Sequence, residues 1–176
     1  MVRLRAADTA ILEGFVASGA ELTRLVNGLS ESDLDLSSEP DGWTVRQIIH
    51  HVSDDGDVWS MCIKKALATP GSLVRFEGFP GNEPWAEALE FARRDVGSAV
   101  RLIRAHRRYL AQMLADFPDA WDRSVGLANA EGHVVRELTV REMVMMLRDH
   151  MLEHIETVRR TQVDVGSTDD LRSGRP

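Results

Sequence analysis

The sequence contains a single cysteine, Cys62, among its 176 residues, so no internal disulfide can form. This is compatible with a reducing compartment, and a lone cysteine is more often a buried bystander than a nucleophile. Apolar runs of the ~18–20 residues that span a bilayer are absent. No apolar stretch follows the charged residues near the N-terminus, as it would in a secretory signal. We therefore expect a cytoplasmic protein that makes no membrane contact.

Positive charge is also scarce. Lys and Arg total 21 against 28 Asp and Glu, which gives a formal net charge of −7, whereas nucleic-acid-binding domains are usually basic. Arginines recur at positions 93, 94, 101, 104, 107 and 108. We interpret this run as a solvated helix face, because acidic residues elsewhere outweigh it. We expect no nucleic-acid partner.

The chain has 43% apolar and 28% charged residues, the balance of a globular domain. Four segments show helical periodicity: residues 6–29, 44–69, 82–117 and a segment that begins at Thr139. Two of them open on capping boxes, Thr44 with Gln47 and Thr139 with Glu142, and Asn82 is a candidate cap for the third. The pattern predicts an all-α fold, an antiparallel four-helix bundle. Residues 1–162 form the single predicted domain, and residues 163–176 a disordered tail.

Two connections interrupt this helical pattern. Residues 70–83 have no period and are longer than most connections between bundle helices. Residues 121–138, between the third and fourth helices, resemble a short hairpin or an irregular crossover. Long loops in compact domains often line a site or an interface, so we expect substrate specificity to reside here.

The first candidate site is the pair His150 and His154. On a helix, residues four apart lie on one face with Cβ atoms roughly 5–6 Å apart, a spacing that suits two ligands of one metal ion. The pair continues the apolar seam of Met143 and Leu147. Imidazoles that point into a bundle core cost desolvation energy unless each finds a partner. A metal ion satisfies both.

The second predicted helix offers a third imidazole, that of His51, which lies between Ile48 and Val52 on the apolar side. Asp54 or Asp55 is placed to accept a hydrogen bond from the other N–H of a ligating imidazole. His50 is rotated by about 100° from His51 and is expected to be a neighbour of the site or a surface residue.

Two other interpretations of the histidines stay open. Core histidines can be satisfied by carbonyl groups or water alone. The run His150-x-x-Glu153-His154 also matches the inverted zinc-protease motif, with Glu153 as general base. Against the second interpretation, the short sequence after His154 offers no evident counterpart of that family's downstream glutamate ligand.

The stretch 43–54, with its Trp-Thr-Val-Arg-Gln start and paired histidines, is followed far downstream by His150-x-x-x-His154. Together they resemble the DinB/YfiT-like metalloprotein superfamily, and its YfiT branch in particular. The resemblance implies an up-down-down-up bundle with a long crossover between helices three and four, usually as a homodimer. It also implies a divalent metal, zinc or nickel, on His51, His150 and His154. The sequence departs from the YfiT-like pattern after Asp54, which leaves a fourth ligand open.

Three histidine ligands leave positions open on an ion, as in catalytic sites, and lower the pKa of bound water. Related bundle enzymes use low-molecular-weight thiols as cosubstrates. The first hypothesis is therefore a metal-dependent enzyme that acts on a small molecule, either as a thiol-dependent S-transferase, which we slightly prefer, or as a hydrolase. The alternative is a non-catalytic bundle that binds a metal or a small ligand.

Overall fold

The computed structural model describes residues 3–76 and 83–173, with side chains up to Gln162. Its helices and strands follow one another along the chain. They are α1 (Ala6–Val26), α2 (Glu31–Leu34), α3 (Val45–Ala68), β1 (Leu73–Arg75), α4 (Glu83–Ala88), α5 (Gly97–Ala115), β2 (Ser124–Ala128), β3 (Val134–Thr139) and α6 (Val140–Ser173). Beyond Gln162 the structure describes no side chains, and beyond Ser173 it describes no backbone. The prediction of a disordered tail over residues 163–176 therefore stays a prediction.

The four long helices α1, α3, α5 and α6 form the predicted bundle. Both α1 and α3 pack mainly on α5 and α6, so α1 and α3 occupy diagonally opposite corners of the bundle. Arg141 near the start of α6 pairs with Asp8 near the start of α1, and Arg159 pairs with Glu21 farther along both helices. These two helices therefore run in the same direction.

Two apolar clusters fix the direction of the other helices. One joins the start of α3 and the start of α5 to the end of α1 and the later part of α6. The other joins the end of α3 and the end of α5 to the start of both α1 and α6. Thus α3 and α5 run opposite to α1 and α6, which is the up-down-down-up order.

Both predicted capping boxes are present. The Thr44 hydroxyl accepts from the Gln47 N–H while the Gln47 side chain accepts from the Thr44 N–H. Thr139 and Glu142 make the same reciprocal pair at the start of α6. Because each pair satisfies backbone donors that the first helical turn leaves free, both helix starts are fixed locally.

The prediction of one continuous third helix over residues 82–117 is wrong. α4 ends after Ala88, where Glu90 adopts a positive φ of 54° and the Phe91 N–H donates to the Ala86 carbonyl at 3.0 Å. This hydrogen bond, together with one residue in the left-handed conformation, is a motif that commonly ends an α-helix. It turns the Phe91 side chain inward until it is fully buried. The proposed cap, Asn82, lies outside the described residues.

A three-stranded sheet closes one end of the bundle. β2 and β3 form the antiparallel hairpin that the 121–138 segment predicts, with an irregularity at Leu127 and Ala128. β1 adds in parallel to β2, with Leu73 opposite Gly126, although the sequence predicts no regular structure there. Val125 and Leu138 point from the sheet into the core. Among the described residues, no helix has both the length and the apolar character needed to cross a bilayer.

Candidate metal centre

Three imidazoles meet on the seam between α3 and α6. His51 projects from α3, while His150 and His154 project from successive turns of α6. The Nε2 atom of His150 lies 3.1 Å from that of His51 and 2.9 Å from that of His154. The ring centroids are 4.5–4.9 Å apart. The structure therefore brings together the three histidines singled out from the sequence.

Asp55 supports this cluster from α3, one turn after His51. Its Oδ2 lies 3.0 Å from His150 Nδ1 and 3.9 Å from His51 Nε2. A carboxylate beside Nδ1 favours the tautomer that carries its proton on that atom, which leaves the lone pair of a neutral ring on Nε2, facing the other two imidazoles. Asp55 is thus placed to favour the ligating tautomer of His150.

Burial favours the neutral form of two of the imidazoles. It lowers the pKa of His154 to about 3, with the neighbouring His150 and His51 adding to the effect. Burial likewise lowers the pKa of His51, although the charge of Asp55 opposes it. Neutral imidazole is the form that ligates metal ions. At neutral pH the side chains of His51 and His154 are therefore ready as ligands.

The donor set fits a divalent cation better than it fits hydrogen bonds alone. A neutral imidazole has only one N–H, so three converging Nε2 atoms cannot all satisfy one another. His51 Nδ1 and Asp55 Oδ1 are buried and have no hydrogen-bond partner among the described residues. Two imidazole nitrogens on a tetrahedral zinc ion lie about 3.4 Å apart, given Zn–N bonds of ~2.1 Å. The separations of His150 Nε2 from the Nε2 atoms of His51 and His154, 3.1 and 2.9 Å, are only a few tenths of an ångström shorter.

One other expectation near the site, for Asp54, is wrong, and one of the two alternatives for His50 is excluded. Asp54 does not support a histidine of the cluster, because its Oδ2 accepts from Trp85 Nε1 at 2.9 Å. His50 is not a surface residue: it is 2% exposed, it contacts the Arg94 carbonyl at 3.3 Å, and its ring lies beside that of Phe91. Both residues therefore fasten α3 to the segment that contains α4 and the turn after it.

Two clefts adjoin the cluster. The first, here the His150 cleft, has a volume of about 350 Å³ and is lined by Asp55, Trp59, Met146, Leu147, Asp149, His150 and Glu153. The second, the His154 cleft, measures about 210 Å³ and is formed by His154 with loop residues 37–43 and the following turns of α6. The imidazoles are thus reached from two pockets of different chemical character.

Several residues missed by the sequence interpretation shape these surroundings. Trp43 contacts the His51 ring edge to face, with centroids 4.7 Å apart, and Trp59 forms the apolar wall of the His150 cleft. Trp59 is two helical turns after His51, a spacing that could have indicated a shared face. Arg107, expected on a solvated face, is buried and donates to the carbonyls of Phe15 and Leu147.

Two alternative chemistries lose support from the geometry. Cys62 is 1% exposed, and burial raises the pKa of its thiol to about 11, which disfavours the thiolate form that a nucleophile requires. For the inverted zinc-protease motif, the third imidazole comes from α3, which precedes the motif in the chain. A ligand downstream of His154 is therefore not needed to complete the cluster, although Glu153 does line the His150 cleft.

Comparison with known proteins agrees with this architecture. A protein of Bacillus cereus strain B4264, named "putative metal-dependent hydrolase", is 31% identical over 90 residues, which cover 51% of this chain and 50% of that protein. A Bacillus anthracis protein of the same name, from strain A0248, matches equally well. The chain thus spans about half the length of the curated relatives that it matches.

Solved structures share the fold over more of the chain. YfiT from Bacillus subtilis, described as a "probable metal-dependent hydrolase with an unusual four-helix bundle topology", superposes with a TM-score of 0.79 at 19% identity, covering 90% of this chain and 87% of that one. A mycothiol-dependent maleylpyruvate isomerase superposes with a TM-score of 0.61 at 15% identity, covering 86% and 60%.

Fold and site together define a four-helix bundle with an interior trihistidine cluster. The sequence profile of the DinB superfamily matches residues 15–158, which include all three histidines, the whole of α3 and α5, and most of α1 and of the described side chains of α6. The chain belongs to the DinB superfamily.

Proposed function

We propose that this protein is a metal-dependent enzyme whose divalent ion is held by His51, His150 and His154. One observation carries the proposal. Three imidazoles bring ring nitrogen atoms together, and a buried carboxylate lies 3.0 Å from the Nδ1 atom of His150. Zinc and nickel both suit an all-imidazole donor set. The names of the curated relatives, metal-dependent hydrolases, support the same class.

The substrate is proposed to be a small molecule bound in the His150 cleft. Trp59 and Met146 offer it apolar surface, while Asp149 and Glu153 place negative charge at the same cleft. The bound ion would supply a Lewis acid that lowers the pKa of water or a thiol. Asp55 would hold the His150 ring in place throughout, and burial by Trp43 would limit water around His51.

Hydrolysis and thiol transfer could both use this centre. The sequence favoured thiol transfer slightly, and the shared fold with a mycothiol-dependent isomerase supports that option. The names of the relatives favour hydrolysis, and the sequence identity behind them is higher. We therefore place hydrolysis of a small ester or amide first and thiol transfer second.

Elemental analysis of the purified protein tests the metal. We expect about one divalent ion per chain, lost when His51, His150 and His154 are all replaced by alanine. His106→Ala is the matched control, because His106 lies beside Asp57 and away from the cluster. Metal-free native protein of unchanged stability after metal-replete growth would contradict the proposal.

A substrate panel then separates the reactions. The metal-loaded protein is assayed for hydrolysis of ester and amide substrates and for conjugation of small thiols. Turnover that disappears in the alanine variants identifies the reaction. Tight ligand binding without any turnover would instead support the non-catalytic binding bundle.

A further inference from the structure

The His154 cleft has a composition suited to a charged ligand. Its walls combine one arginine, one glutamate and three hydroxyl groups with the faces of Trp43 and Ile48. The polar residues are Ser37, Ser38, Glu39, Thr157 and Arg160. At about 210 Å³ it is smaller than the ~300–1,000 Å³ of pockets for drug-sized ligands. The cleft therefore suits a molecule, or part of one, about the size of an amino acid.

Arg160 differs from the other arginines of α6 whose side chains the structure describes. Arg141, Arg148 and Arg159 each form an ion pair with a carboxylate. Arg160 donates only to Thr157 Oγ1, at 3.1 Å, and pairs with no carboxylate among the residues that the structure describes. A guanidinium presents a planar fork of N–H groups that matches a carboxylate. Its charge at the cleft is thus available to a ligand.

Glu39 brings the opposite charge to the same cleft on a well-defined turn. Ser37 Oγ donates to the Glu39 carbonyl at 2.8 Å and accepts from the Glu39 N–H. A Cβ on Gly42 would lie 2.8 Å from Ser37 Oγ and 3.2 Å from Glu39 Cβ, so the close return of the loop requires glycine. The Glu39 carboxylate has no ion-pair partner within the described part of the chain.

We propose that the His154 cleft binds the zwitterionic headgroup of an amino-acid-like ligand. Arg160 takes the carboxylate, Glu39 takes the ammonium group, and the ligand's side chain is directed to His154. Opposite unpaired charges in one small cleft favour a ligand that carries both signs over a simple anion or cation. Only the last element, a side chain that reaches the metal centre, rests on the proposed function.

Calorimetric titration of the purified protein with S-methyl-L-cysteine tests the headgroup. Its thioether has no thiol to ionise, so binding reports mainly on the two charges. Removing the carboxylate, as in S-methylcysteamine, or the amine, as in 3-(methylthio)propionate, should each weaken binding about tenfold, the loss of one charge-assisted contact. Equal affinity of all three compounds would overturn the proposal. The absence of any measurable binding of S-methyl-L-cysteine would overturn it as well.

Two variants assign the charges. Arg160→Gln should weaken the binding of S-methyl-L-cysteine about tenfold but leave the binding of the carboxylate-free compound unchanged. Glu39→Gln should likewise weaken the binding of S-methyl-L-cysteine but leave the binding of the amine-free compound unchanged. Arg159→Gln is the control, because Arg159 is already paired with Glu21 and Glu156, and it should leave all affinities unchanged. A loss of the same size in Arg159→Gln would refute the assignment.

The metal is tested separately with His51→Ala, since His51 does not line the His154 cleft. If the headgroup site exists, this variant retains S-methyl-L-cysteine binding even when its metal is lost. With cobalt in place of the native ion, L-cysteine should add a thiolate-to-metal absorption band. In Arg160→Gln the same band should require about tenfold higher cysteine concentrations. Headgroup binding without this band would refute only the step that depends on the proposed function.

Discussion

Asp55 provides the most discriminating test of the proposed centre. Asp55→Asn keeps the side-chain volume but removes the negative charge that lies 3.0 Å from His150 Nδ1. Without the carboxylate, His150 is held less firmly and its Nε2 becomes a weaker donor. Partners of this kind typically change metal affinity by 10–100-fold when mutated, which corresponds to about 1.4–2.7 kcal/mol.

The metal-free protein should respond differently. Asp55 is only 5% exposed, and its Oδ1 finds no partner among the described residues, so its burial is costly in the absence of a cation. Asn removes that cost while it loses the charged contact with His150. We therefore expect the free energy of unfolding of metal-free Asp55→Asn to lie within about 1 kcal/mol of wild type.

Competition with a chromophoric chelator measures the affinity, and thermal unfolding measures its consequence. At a free metal concentration of 100 times the wild-type Kd, the ion stabilises wild type by about 2.7 kcal/mol and the variant by only about 0.4–1.4 kcal/mol. Asp54→Asn is the matched control, because Asp54 faces Trp85. Equal Kd values for Asp55→Asn and wild type, or an equal loss in Asp54→Asn, would refute the role assigned to Asp55.

Two further predictions concern pH and packing. The folded-state pKa of His154, about 3, lies below the value of about 6.5 expected when the chain is unfolded, so the unfolded chain binds more protons below pH 6.5. The metal-free protein should therefore lose about 2 kcal/mol through this residue between pH 7 and pH 5. Urea titrations should show that loss reduced in His154→Gln, and an identical pH dependence would contradict it. Gly19→Ala should destabilise by about 1–3 kcal/mol, since its Cβ would meet buried Arg107 Cδ at 2.5 Å. Gly14→Ala should cost less, because its Cβ would meet the more exposed Arg148 at 3.0 Å; equal effects in calorimetry would contradict this reasoning.

The helices that hold the cluster could be predicted because their signals are local. A capping box fixes where a helix starts, and a four-residue step fixes which side chains share its face. His150 and His154 needed nothing more. The choice between Asp54 and Asp55 could not be made in this way, because it depends on Trp85. The partner of Asp54 is set by tertiary packing.

The elements that were missed depend on contacts distant in sequence or on an unusual residue. The left-handed end of α4 normally carries glycine, but here it carries Glu90, so the break had no compositional signal. β1 is three residues long and exists because β2, fifty residues later, supplies its hydrogen bonds. Arg107 belonged to an arginine run, yet Gly19 on α1 leaves space for its side chain.

The position of the cluster follows from the two capping boxes together. α3 and α6 are antiparallel, so their capped starts lie at opposite ends of the bundle. His51 is six residues beyond the first residue of α3, and His150 is ten beyond that of α6, which place them about 9 Å and 15 Å along their axes. Given the packing of α3 on α6, these two distances bring His51 level with His150. A residue inserted between either cap and its histidine would rotate that ring by about 100° out of the seam, whereas one inserted in the connection between β1 and α4 would leave the alignment intact.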